Sequence, residues 1–208
     1  MDNLFRLIFI ITFFIVGCSP NEIEENKVTK EINSLNLNIF SKNGNKKYSI
    51  KSPYSTYNNV IDKFEFQKAT INIFQKGKLK YYISSDEATL SNNNKILKLS
   101  GNVILKTNNK EEDYLYADSF IWNIDETNYL LNGNIRFENN NVILTSGQAK
   151  MGSDNIIEFF KPVKYIIKND NYNNKYEINS ENATYNLENE SLSFMAKDRE
   201  RVRSIIYF

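Results

Sequence analysis

The sequence predicts an all-β fold: two antiparallel sheets facing each other as a twisted β-sandwich or jelly roll, open at the ends, with about ten strands in repeated hairpins. Three observations predict it. Apolar and polar residues alternate with period two, the signature of strands with one dry and one wet face. A short pattern returns about every thirty residues along the chain. No segment past the leader carries sustained 3.6-residue periodicity.

The recurring pattern is a polar lead-in, a small residue, one residue of any kind and a large apolar residue. Its copies are Ser52–Tyr57, Ser85–Leu90, Tyr116–Ile121, Ser146–Met151 and Ser180–Tyr185, with small residues at 55, 88, 119, 149 and 183, spaced 33, 31, 30 and 34 apart. Turns rich in Asn or Asp follow, such as Asn92-Asn93-Asn94 and Asp125-Glu126-Thr127-Asn128. Asn, at 33 residues, does the work that 7 Gly and 3 Pro do not, because it tolerates left-handed backbone. Second strands come next. Leu97, Leu99, Val103 and Leu105 are in phase, as are Tyr129, Leu131, Ile135 and Phe137, and again Ile157, Phe159, Val163 and Tyr165. Gly101 and Gly133 interrupt the first two series at the same place, which predicts a bulge that bends each strand while keeping one face inward. A lone hairpin cannot bury its dry face, so the hairpins must fold against one another.

Composition narrows the function. The 208 residues carry a formal charge of +1, too little basic field for a nucleic-acid binder. There is no His, so Ser-His and Cys-His pairs and His-based metal sites are excluded. A single Cys excludes an intrachain disulfide. No cofactor or metal is expected. The 13% aromatic content is that of a chain that folds.

The leader, Met1–Gly17, holds Arg6 and then a ten-residue apolar run from Leu7 to Val16, interrupted by Thr12. As a helix these span about 15 Å, half a bilayer core, which fits a signal peptide over residues 1–17. Ile15-Val16-Gly17-Cys18 resembles a bacterial lipobox, in which the Cys thiol receives a lipid. Cys18 is therefore the candidate lipidation site, heading a polar tether over residues 18–34. The β domain is expected over 35–197 and a basic, apolar-tipped tail over 198–208.

In order, Gly44–Pro53, Phe64-Glu65-Phe66, Tyr82–Leu90, Leu99-Ser100-Gly101-Asn102-Val103 and Leu115-Tyr116-Ala117-Asp118 resemble the family of the lipopolysaccharide-export periplasmic protein LptC, over about residues 35–197. The resemblance implies a membrane-anchored β-jelly-roll in the periplasm, most naturally on the inner membrane. It implies no enzyme, but a conduit that takes lipopolysaccharide from an inner-membrane ABC exporter to a periplasmic bridge protein of the same fold. ATP hydrolysis in the exporter drives passage. It implies edge-strand addition to these partners, with the edge near 35–50 facing the exporter and the edge near 178–197 facing the bridge. Well-studied members begin with an uncleaved transmembrane helix, whereas this chain has a lipobox-like segment.

Acyl chains crossing water need an apolar groove without buried charge. The candidate lining is Phe64, Phe66, Leu99, Val103, Leu105, Ile121, Leu131, Ile135, Phe137, Phe159 and Val163, with Trp122 nearby. The alternatives are a structural or adhesive β-repeat surface lipoprotein without lipid transport, the soluble bridge component, and a glycosidase built on Asp125-Glu126 or Glu111-Glu112-Asp113.

Overall fold

A computed structural model describes residues 29–108, 113–139, 142–152, 154–167, 175–196 and 201–207. The signal peptide, Cys18 and the tether as far as residue 28 lie outside the described residues.

Twelve strands and no helix make up the described residues: β1 (Thr29–Phe40), β2 (Lys46–Asn58), β3 (Lys63–Gln75), β4 (Lys78–Ser91), β5 (Ile96–Thr107), β6 (Tyr114–Asn123), β7 (Asn128–Glu138), β8 (Val142–Met151), β9 (Ile156–Ile167), β10 (Lys175–Asn186), β11 (Leu192–Met195) and β12 (Arg203–Tyr207). They pair antiparallel in chain order from β1 to β11, and β12 pairs with β10. The all-β antiparallel fold is as expected, with twelve strands in place of about ten. The tether gives its last six residues to β1, and the tail supplies β12.

The two facing layers are made from the same strands. Ladders from β4/β5 to β9/β10 change register near the middle, at Ser84/Glu87, Ser100/Val103, Tyr116/Ser119, Asn132/Ile135, Thr145/Gln148 and Ser180/Asn182. Along this line of bulges the sheet turns a corner. One half of each long strand lies in layer A, which holds residues 46–51, 69–75, 78–85, 103–107, 114–117, 135–138, 142–146, 163–167 and 175–180. The other half lies in layer B, with residues 54–58, 63–67, 87–91, 96–100, 119–123, 128–132, 148–151, 156–160 and 182–186. Odd-numbered strands run from B to A and even-numbered strands from A to B.

The corner has its own chemistry. On four even strands a Ser hydroxyl donates to the carbonyl two residues on: Ser52 to Tyr54 (2.6 Å), Ser85 to Glu87 (2.9 Å), Ser146 to Gln148 and Ser180 to Asn182 (both 3.0 Å). Ala117 holds this place on β6. On the odd strands β5 and β7 the corner is a Gly-Asn pair with positive φ, 72° and 46° at Gly101-Asn102 and 75° and 46° at Gly133-Asn134. Asn102 Nδ2 donates to Asp86 Oδ2 (2.6 Å) and Asn134 Nδ2 to Asp118 Oδ2 (2.9 Å). A Cβ on either Gly would strike that same carboxylate, so the close approach and the left-handed backbone both require glycine. Leu99 and Val103 are both buried, as are Leu131 and Ile135, so each bend keeps its face inward as the sequence predicts.

Candidate functional site

The inner walls are two cross-strand rows. In layer A, Leu37, Ile50, Ile71, Ile83, Leu105, Leu115, Phe137, Leu144, Tyr165 and Ile178 stand opposite one another in register from β1 to β10. In layer B the row is Ile32, Ser55, Phe66, Ala88, Leu99, Phe120, Leu131, Ala149, Phe159, Ala183 and Phe194. The small residues of the repeat fall in this second row between larger ones, which lets side chains of the facing layer fit between them. On β6 the small residue is not in the row. Asp118 aligns with Asp86 through its Gly-Asn partner, so Phe120 holds the place of Ala88, and Ser119 is one position off.

Of the sequence-derived lining, Phe66, Leu99, Val103, Leu105, Leu131, Ile135, Phe137, Phe159 and Val163 are all at 2% exposure or less and belong to one core cluster. Phe64 is half-buried and packs against that core, stacked on Tyr57 and Phe66. Ile121 departs from the expectation. It alternates with buried Phe120 and Trp122, so it belongs to the outer face. Asp113 is the one buried charged residue among those described. It accepts a hydrogen bond from Thr107 Oγ1 (3.3 Å) at the rim. Asp125 pairs with Lys95 in an exposed turn (3.1 Å), and Glu111 and Glu112 lie outside the described residues.

The strands join the layers on the corner side. On the opposite side, the mouth, side chains do so. Tyr48 of layer A meets Trp122 of layer B edge-on (5.1 Å), and its hydroxyl donates to the Asn94 carbonyl (3.4 Å). Tyr81 meets Tyr129 (5.8 Å), Phe137 meets Tyr185 (4.6 Å), Tyr165 meets Phe194 (5.4 Å), and Asn139 Nδ2 donates to Tyr185 Oη (3.2 Å). Among the described residues, the turn-to-turn backbone bonds Asn108–Lys80, Ile124–Lys95 and Leu187–Asn155 each stay within a layer. Burial pushes the Tyr48 and Tyr129 hydroxyls up to about 12, and Tyr81 still higher, so all three stay neutral in ordinary conditions. The Tyr81 hydroxyl and Trp122 Nε1 are buried with no hydrogen-bond partner among the described residues.

A cleft of about 590 Å³ opens at the mouth. Layer A lines it with Lys78, Lys80, Tyr81 and Asp113, and layer B with Asn155, Leu187, Glu188 and Glu190. Partial burial lowers the Lys80 pKa, opposed by the nearby charges of Glu188 and Asp154. A second cleft of about 510 Å³, lined chiefly by exposed residues of β1–β4 such as Glu31, Glu65 and Glu87, lies apart from this mouth. The sequence reading missed the tyrosines at 48, 81 and 185. Their signal was present, since each is in phase with neighbouring inner positions such as Ile50, Ile83 and Ala183.

Comparison with known proteins gives one family. The model of the lipopolysaccharide-assembly, LptC-related family matches residues 7–128, more than half of the chain. Among solved structures, the chain is similar to that of LptH, the LptA homologous periplasmic component of the conserved lipopolysaccharide transport device from Pseudomonas aeruginosa. Identity is 8%, the match covers 77% of this chain and 94% of that one, and the TM-score is 0.39. Comparison with curated proteins finds no match.

Proposed function

Since the chain belongs to the lipopolysaccharide-assembly, LptC-related family, we propose that it is a membrane-anchored periplasmic component of the lipopolysaccharide export machinery, passing lipopolysaccharide from an inner-membrane ABC exporter towards a periplasmic bridge protein. The observation that carries the conduit reading is the pair of apolar rows running from β1 to β10, bounded at the mouth by side-chain contacts. In the closed slab these residues pack as a core. Separating the layers at the mouth breaks ring contacts and single hydrogen bonds and leaves every strand ladder intact. It also gives the Tyr81 hydroxyl and Trp122 Nε1 access to partners. A buried unpaired polar group costs about 1–3 kcal/mol, so closure carries a penalty that opening removes.

Acyl chains slide between the rows, and each methylene taken from water contributes about 0.8 kcal/mol. The half-buried residues at the slab ends, Leu37 at one and Ile178 and Phe194 at the other, let the apolar path reach both. The chain supplies no energy; ATP hydrolysis in the exporter drives passage. Cys18 carries the lipid anchor. Eleven residues later Thr29 begins β1, a reach of at most about 40 Å from the membrane.

The test uses photo-crosslinking residues placed singly at Phe66, Leu105 and Phe137 in cells, with exposed Lys98 as control. Lipopolysaccharide adducts at the three inner positions and none at Lys98 are expected. No adduct at any inner position in folded, expressed protein overturns the conduit and leaves a packed structural lipoprotein.

A further inference from the structure

The turn between β2 and β3 carries two large apolar side chains in water. Val60 is 73% exposed and Ile61 60% exposed, and both sit at the tip. Even-numbered strands end at the layer B rim, so the turns after β4, β6 and β10 lie along the same rim. Those turns are polar at their exposed positions: Asn92-Asn93-Asn94-Lys95, then Asp125-Glu126-Thr127, then Glu188-Asn189-Glu190. Their apolar members, Ile124 and Leu187, are buried.

The geometry of the turn does not call for Val60 and Ile61. Asn58 Oδ1 accepts from the amides of Val60 (3.0 Å) and Ile61 (3.3 Å), and Asp62 follows with a φ of 45°. The turn after β10 is built the same way. There Asn186 Oδ1 accepts from the amides of Glu188 (2.8 Å) and Asn189 (3.4 Å), and Glu190 follows with a φ of 57°. The same backbone thus presents Glu-Asn at one end of the rim and Val-Ile at the other.

The tip is also prepared for an apolar medium. The two amides at its apex are already bonded, so they would not enter lipid unpaired. Its base is firm: Tyr57 stacks on Phe64 (4.3 Å) and its hydroxyl donates to Asp62 (3.1 Å). The neighbouring charges are mixed, with Lys30, Glu31, Asp62 and a Lys63–Glu65 pair (2.6 Å), so the attraction is apolar rather than ionic.

Its place selects the partner. Asn58 pairs with Thr29, the first residue of β1, so Val60 lies within about 12 Å of the point where the chain enters the slab. Only eleven residues separate Thr29 from Cys18 in the sequence. We propose that Val60 and Ile61 form a second membrane contact, dipping into the apolar edge of the phospholipid bilayer beside the Cys18 anchor. The proposal rests on the reading of Cys18 as that anchor. Two such side chains bind a bilayer weakly alone, but a tether holds them at high effective concentration. A tether by itself leaves the slab free to turn. A contact beside it fixes which end of the rim meets the membrane.

The test places a photo-crosslinking residue singly at Val60 or Ile61 of the full chain in cells, with Glu188 and Asn189 of the matched turn as controls. Adducts are sorted by mass into phospholipid, lipopolysaccharide and protein. Phospholipid adducts at Val60 and Ile61 are expected at least tenfold above those at the controls. With the probe at Val60, Ile61→Asp is expected to cut the phospholipid adduct at least fivefold and leave the melting temperature unchanged. Equal yields at the two turns, adducts to lipopolysaccharide or protein alone, or an unchanged yield in Ile61→Asp each overturn the proposal. The mass of the purified chain judges the anchor separately. An acylated Cys18 without phospholipid adducts at the tip overturns the tip alone, and an unacylated chain without them overturns both. Adducts on an unacylated chain uphold the tip and remove the anchor.

Discussion

The ring of Tyr48 on β2 stands edge-on to Trp122 on β6 with centroids 5.1 Å apart, although four strand spacings separate them along the hydrogen-bonded sheet. Four spacings are about 19 Å. The sheet has therefore folded over, and the contact measures closure of the mouth.

Trp122 is the only tryptophan, and it is buried. Its emission should report opening directly. Tyr48→Ala removes the ring contact and the bond to Asn94, and should cost about 3–5 kcal/mol with a red-shifted Trp122 emission. Unchanged emission would show that the contact does not hold the mouth.

Tyr81→Phe should behave in the opposite sense. The hydroxyl has no partner among the described residues, so its removal should leave stability unchanged or raise it by up to about 1–3 kcal/mol. Denaturant midpoints at constant m-value check this. A loss above about 1 kcal/mol would mean that the hydroxyl is bonded after all.

Gly133→Ala should cost about 1–3 kcal/mol. The φ of 75° disfavours an L side chain, and the new Cβ meets the Asp118 carboxylate. Gly44→Ala has a similar φ of 78° but open space, so it should cost less. Equal melting shifts for the two would remove the role given to the Asp118 contact.

Register on β6 gives a paired test. Phe120→Ala should cost about 3–5 kcal/mol, because Phe120 stands in the buried row. Ile121→Ala, on the outer face, should cost about 1 kcal/mol or less. Comparable losses would put the alternation in error.

Alkaline pH should loosen the fold. An unfolded tyrosine titrates near 10, while burial holds Tyr48 and Tyr129 up at about 12. The folded state binds these protons more tightly, so their contribution is complete below about pH 10 and is lost as pH rises towards 12. The melting temperature should fall across that window, and less steeply in a Tyr48→Phe, Tyr129→Phe chain.

Much of this was legible in the sequence, for local reasons. Leu97 to Leu105 and Tyr129 to Phe137 declare their inner face through period two, and Gly101 and Gly133 mark their bends, because alternation and positive φ are properties of a few adjacent residues. What failed depended on other kinds of information. Size alone puts the small residue of the third repeat at Ser119, whereas Asp118 and its bond to Asn134, a residue sixteen away, set the true register. A register set by Ser119 turns Ile121 inward as well, whereas the strand turns it outward. Residues 29–34 and 203–207 look like tether and tail in the sequence because they lack the sustained apolar alternation that reveals a central strand. The facing of Tyr48 and Trp122 follows from twist summed over several strands, which no short window of sequence records.

The shared corner has a consequence for how such a protein changes length. Because each strand contributes to both layers, one repeat of about thirty residues supplies a slice of both walls, the bend and the rim together. Tandem duplication of a single repeat would extend the slab by two strands, about 10 Å, without a compensating change elsewhere. Gaining or losing one repeat would therefore lengthen or shorten the slab at a single place in the chain, where a sandwich of two separate sheets would have to gain matched strands at two distant sites.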